Sequence, residues 1–129
     1  FVTFASATPF QAAVAAALDA GAPFERELVQ FYSERRQELM YSLERAGFGV
    51  LKPQGTYFVM ADIRQLGWDN DVDFCRFLTS EIGVAAIPPS AFYHDGYQSG
   101  LARFCFAKKP ETIAAAAERL ISQRQKLAR

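Results

Sequence analysis

The sequence has 129 residues, enough for one core, and half of them are hydrophobic, with 12 Phe and 5 Tyr among them. Fourteen basic side chains balance fourteen acidic ones, which points away from a nucleic-acid binder and from a membrane-surface protein. No stretch reaches the ~18 to 20 apolar residues of a membrane span, and no basic–apolar–small signal pattern is present.

The chain starts on Phe1-Val2-Thr3-Phe4 without a methionine, an apolar lead-in that reads as the cut end of something longer. Thr8-Pro9 offers an N-cap and a proline at the first helical position. The alanine-rich run from Gln11 to Ala20 then predicts a helix that Gly21 stops. So narrow a helix is expected to pack closely against something, not necessarily its own domain. Pro23 opens a longer helix whose apolar positions Phe24, Leu28, Phe31, Tyr32, Leu39, Leu43 and Ala46 fall near the 3.6 period. It ends at Gly47 after roughly 23 residues, about 35 Å, which is long for a lone small domain.

Phe48 to Leu51 and the β-branched, aromatic run Thr56 to Ile63 predict two strands around the turn Lys52-Pro53-Gln54-Gly55. Beyond the loop Gly67 to Asn70, Asp71 is placed to cap a helix with Phe74, Phe77, Leu78 and Ile82 on its apolar face, stopped by Gly83. Val84 to Ile87 predicts a further strand, broken by Pro88-Pro89 and followed by Ser90 to Tyr93 and a glycine-containing loop. The strand Leu101 to Ala107 comes next, and Pro110 starts a last helix with Ile113, Ala117, Leu120, Ile121 and Leu127 buried. The expected fold is α+β, a small, mostly antiparallel or mixed sheet covered by helices, with a long N-terminal connecting helix.

Alternation puts Ala102, Phe104 and Phe106 on one face of the last strand and Arg103, Cys105 and Ala107 on the other. A guanidinium set among Phe104, Cys105 and Phe106 needs an anion in reach, because a buried charge without a partner is costly. One reading is an internal salt bridge or a snorkelling edge residue. The other is a ligand carboxylate, gripped through two parallel hydrogen bonds by arginine's planar fork.

Other reactive residues yield mostly absences. Cys75 and Cys105 form no Cys-x-x-Cys pair and read as two buried free thiols of a cytoplasmic protein. His94, the sole histidine, reads as a surface loop residue, and no metal site is expected. Lys52, Lys108, Lys109 and Lys126 stand by turns or helix ends, outside the apolar setting that Schiff-base chemistry requires. A complete active site cannot be assembled from these residues.

Three motifs in order carry a resemblance: Gln54-Gly55-Thr56-Tyr57-Phe58-Val59-Met60-Ala61-Asp62-Ile63, then Gly83-Val84-Ala85-Ala86-Ile87-Pro88-Pro89-Ser90-Ala91-Phe92-Tyr93, then Arg103-Phe104-Cys105-Phe106-Ala107-Lys108. Together they resemble class I/II aminotransferases of the pyridoxal-phosphate fold type I, nearest to the methionine and kynurenine (glutamine-type) transaminase branch. The lead-in, with Thr8-Pro9 and Gln11-Ala12-Ala13-Val14, resembles the same branch. Pro88-Pro89-Ser90 stands where many relatives have Pro-Gly.

The resemblance implies that residues 23–129 are the C-terminal small domain, and that residues 1–22 belong to the large-domain or dimer side. It implies a homodimeric, cytoplasmic enzyme that moves an amino group between an amino acid of methionine, aromatic or glutamine-like type and a 2-oxo acid. The cofactor would be pyridoxal 5'-phosphate, with its lysine and most of its ligands outside these residues, so that this chain alone is expected to be inactive. Arg103 is implied to bind the substrate carboxylate, Tyr57 to lie on the substrate side, and Phe4 to approach the neighbouring subunit's site. A stand-alone amino-acid-binding or oligomerisation module that uses Arg103 without chemistry is the alternative.

Overall fold

The structure is a computed structural model that describes residues 5–129; the Phe1–Phe4 segment lies outside the described residues. In chain order the elements are α1 (Thr8–Asp19), α2 (Ala22–Ala46), β1 (Gly49–Leu51), β2 (Phe58–Asp62), α3 (Asp71–Phe77), β3 (Leu101–Cys105), α4 (Pro110–Ser122) and α5 (Arg124–Leu127). The chain divides into two compact units, Phe1–Phe31 and Tyr32–Arg129, and the division falls within α2. Among the described residues no helix is long and apolar enough to cross a membrane.

In the first unit, Thr8 does not cap α1. The capping position is Ala7, with extended backbone and no side-chain bond, and Pro9 sits in the first turn. The Gln11 side chain instead donates to the Ser6 carbonyl at 2.6 Å. Thr8 is already helical, so its hydroxyl is one residue too late to meet the free amides. No residue of α1 is buried; Phe10, Val14 and Leu18, spaced as one helical row, are 70%, 57% and 70% exposed.

In the second unit, three antiparallel strands form a sheet in the order β1-β2-β3. Val59 pairs with Phe104 and Ala61 with Ala102, and all four are buried, as the alternation requires. Their face joins one core with Leu39, Leu43 and Ala46 from α2, Phe74 and Leu78 from the α3 region, and Ile113 and Leu120 from α4. Phe48 stands edge-on to both Phe74 (5.9 Å) and Phe104 (5.5 Å), the arrangement that aromatic quadrupoles favour. This is the α+β layout expected, with helices over one sheet face.

Several elements differ locally from expectation. Asn70, not Asp71, caps α3, its side chain accepting from the Asp73 amide at 2.9 Å. Asp71 is the first helical residue and is fully buried. After Phe77 the helix widens into a π turn, Leu78–Ile82, closed by Gly83 at φ +75°. The Arg119 guanidinium donates to the Gly83 carbonyl at 2.6 Å, giving an acceptor at that helix end a partner. Val84 to Ile87 is not a full strand, for only Ile87 pairs, as a single antiparallel bridge to Arg103. The next residue that could bond on that side is Pro89, which has no amide with which to extend the ladder. The last helix is broken at Gln123, where the backbone leaves the helical region.

Candidate functional site

Arg103 lies at the middle of β3, opposite Met60 on one side and Ile87 on the other. Its amide and carbonyl both bond to Ile87, at 3.0 Å each, so its own backbone is held from the Ile87 side while its neighbours Ala102 and Phe104 pair with β2. On the sheet face away from the core, Arg103 Cζ stands 4.6 Å from the centre of the Phe58 ring and 5.3 Å from that of Phe92. Tyr57 meets Phe58 edge-on at 5.7 Å. Arg103 is half-buried, and its Nε is shielded from solvent with no hydrogen-bond partner. Among the described residues no Asp or Glu forms an ion pair with it. The salt bridges found join Arg64 to Asp62 and Arg76 to Asp73.

Cation–π attraction is worth about 0.5–1 kcal/mol at an exposed site and ~2 when desolvated. It steadies a guanidinium plane without neutralising its charge. A cation held against two rings, with a buried unused N–H, is set up to receive an anion from outside the chain. The exposed surface beside it is aromatic: Phe92 is 66% and Tyr57 49% exposed. The structure therefore brings Arg103 and Tyr57 into one patch, linked through Phe58. Phe4, the third expected site residue, lies outside the described residues.

Reasoning from sequence did not identify Phe58 and Phe92 as the rings on Arg103, nor two features that shape the patch. Thr56, just before Tyr57, has φ +65°, a left-handed backbone that is sterically costly for a β-branched residue. It turns the chain sharply into β2. Asp71, read as a cap, has its carboxylate oxygens on Ser90: Oδ2 accepts from the Ser90 amide at 2.8 Å and Oδ1 from its hydroxyl at 2.6 Å. The adjacency of Asn70 and Asp71 was the available signal, since one helix has room for one cap.

The fold and this patch define an α+β domain that presents an unpaired arginine on the open face of a small antiparallel sheet. The chain belongs to the aminotransferases of class I and II, whose family model matches residues 2–120. It is 42% identical to a methionine aminotransferase of Escherichia coli over 120 residues, which cover 93% of this chain and 31% of that protein. It is 36% identical to a kynurenine–oxoglutarate transaminase of Dictyostelium discoideum, over 94% of this chain and 33% of that protein. Among solved structures, an Escherichia coli methionine aminotransferase superposes with a TM-score of 0.83 at 42% identity, over 94% of this chain and 32% of that one. An N-succinyldiaminopimelate aminotransferase of Mycobacterium tuberculosis does so at 0.81 and 39%, with the same coverage. The chain spans about a third of the length of the curated relatives it matches.

The family implies pyridoxal phosphate. Lys52, Lys108, Lys109 and Lys126 are all exposed, and none has the desolvated setting of an amine that forms a Schiff base near neutral pH. The residues of this chain do not by themselves fit the cofactor.

Proposed function

We propose that this chain is the substrate-carboxylate-binding domain of a pyridoxal-phosphate-dependent aminotransferase that acts on methionine-like, aromatic or glutamine-like amino acids and on 2-oxo acids. The observation that carries this reading is the state of Arg103: stacked near Phe58 and Phe92, its Nε buried and unbonded, with no carboxylate of the described residues paired to it. A substrate carboxylate would neutralise the charge through the outer guanidinium nitrogens, which are not closed off as Nε is, and the fork geometry would orient the substrate as well as hold it. Exposed Tyr57 and Phe92, with half-buried Phe58, would then line the side where an apolar side chain lies, and displace water from the ion pair.

The family likeness to methionine and kynurenine transaminases supports the substrate class. The apolar row on α1 supports a homodimer, because Phe10 and Leu18 are each 70% exposed. Two free cysteines suit a reducing cytoplasm.

The test is Arg103→Ala in the full-length enzyme. Removing one partner of a desolvated charge pair costs about 2–5 kcal/mol, so kcat/KM for amino and oxo acids should fall roughly 30- to several-thousand-fold. Arg103→Lys should recover little, because a point charge lacks the fork. Turnover of an amine without a carboxylate should barely change. Equal losses on both kinds of substrate would defeat the assignment.

A further inference from the structure

Asp71 is 0% exposed, and a carboxylate is the costliest kind of side chain to bury unless its oxygens are bonded. Both oxygens are bonded to one residue, Ser90, through its amide at 2.8 Å and its hydroxyl at 2.6 Å. Asp71 also binds through its backbone, its amide donating to Gln98 Oε1 at 3.0 Å. One buried residue thus ties down two points of the segment that runs from Ile87 round to β3.

That segment touches Arg103 at two places. Ile87 pairs with its backbone, and Phe92, two residues beyond Ser90, brings its ring to 5.3 Å from Cζ. Phe92 is 66% exposed, so apolar burial does little to hold it in place. What holds its backbone is the 3-10 turn Pro89–Phe92, entered through two prolines with restricted φ and fastened at buried Ser90.

We propose that Asp71 and Ser90 form a latch that fixes Phe92 against Arg103, and so sets the direction in which the guanidinium fork meets a substrate carboxylate. The two are positioning residues, acting on the carboxylate through Phe92 and Arg103. The inference rests on the assignment of Arg103 as the carboxylate ligand.

The experiment measures, in the full-length enzyme, the inhibition constant of 3-phenylpropanoate, a carboxylate without an amino group, together with KM and kcat for amino acids. Ser90→Ala deletes the hydroxyl bond and keeps the amide bond, loosening the loop and weakening a stacking contact of cation–π size, so it should raise the inhibition constant and KM roughly 3- to 10-fold, with a smaller change in kcat. Ser90→Thr, which keeps the hydroxyl donor, should retain most of the affinity. Phe92→Leu should show the same rise, and the Ser90→Ala/Phe92→Leu double variant should be no weaker than the weaker single one, since both act through one ring.

The latch is overturned if Ser90→Ala lowers the melting temperature but leaves the inhibition constant within about twofold of the parent, or if the two substitutions add. Should Ser90→Ala fail to fold, Phe92→Leu decides alone, because its ring is exposed; an unchanged inhibition constant there refutes the proposal. Arg103→Ala separates the two failures. If it leaves the inhibition constant unchanged, the carboxylate assignment falls and the latch with it. If it weakens binding while Ser90→Ala and Phe92→Leu do not, only the latch falls.

Discussion

If Arg103 is held ready for an external anion, the protein without substrate bears a cost that a neutral side chain would remove. Arg103→Met tests this on folding alone. A buried N–H left unbonded costs about 1–3 kcal/mol, and Nε of Arg103 is such a group. Methionine removes it, follows much of the same unbranched path, and offers sulfur to the Phe58 and Phe92 rings for ~0.3–1.5 kcal/mol. Against this stands the lost cation–π attraction, about 0.5–2 kcal/mol depending on desolvation. The balance favours the variant by ~1 kcal/mol, which for a core of this size raises the melting temperature by roughly 4–8 °C. Urea unfolding followed by tryptophan fluorescence is a suitable assay, because Trp68 is the single tryptophan and is buried in the core. The slope of the transition should not change. If Arg103→Met instead destabilises by ~1 kcal/mol or more at constant slope, the arginine holds the fold together, and the reasoning that assigns it to a ligand is wrong.

Two further outcomes follow from titratable groups. The Arg64 guanidinium donates to the Asp62 carboxylate, with Nε 3.0 Å from Oδ1, and this bond holds the Asp62 pKa below its ordinary value of 3.8. A depressed carboxylate contributes stability in full above its unfolded pKa and loses it as pH falls through the lower folded value. Arg64→Ala should therefore cost stability at neutral pH and progressively less in acid below 3.8; a cost independent of pH would refute the pairing. Burial, with a smaller push from the Asp71 charge, raises the Cys75 thiol to about 12, whereas Cys105 is only half-buried. An aromatic disulfide reagent at about pH 8 should label Cys105 in the folded protein and reach Cys75 only after denaturation; labelling of both at equal rates would contradict the burial.

The parts of the fold governed by local periodicity were legible in the sequence. The alternation Ala102-Arg103-Phe104 correctly separated the core face from the open one, and the 3.6-residue spacing of Leu39, Leu43 and Ala46 marked the buried half of α2. Features set by contacts between distant segments were not legible. Asp71 and Ser90 are 19 residues apart, and nothing in either neighbourhood announces the bond. The same holds for Phe92 over Arg103, since an exposed aromatic in a loop has no periodicity to read. The single bridge at Ile87 escaped for another reason: Val84 to Ile87 has strand composition, but pairing is a property of two segments, and Pro89 has no amide for its next step. Arg103 itself stood out because a charge inside an apolar strand conflicts with its surroundings. Such conflicts are where a sequence marks a candidate site before the structure does.

The bonding of Arg103 also separates two motions within one strand. In an antiparallel ladder successive amides point to opposite neighbours. The Arg103 amide is bonded to Ile87, while its flanking residues Ala102 and Phe104 pair with Ala61 and Val59 in β2. Deuterium uptake at Arg103 thus times the peeling away of the Ile87 segment, and uptake at Phe104 times the opening of the sheet. Adjacent peptide bonds serve as two reporters, and the ratio of their protection gives the difference in free energy between opening the sheet and freeing that loop from the strand, without any substitution.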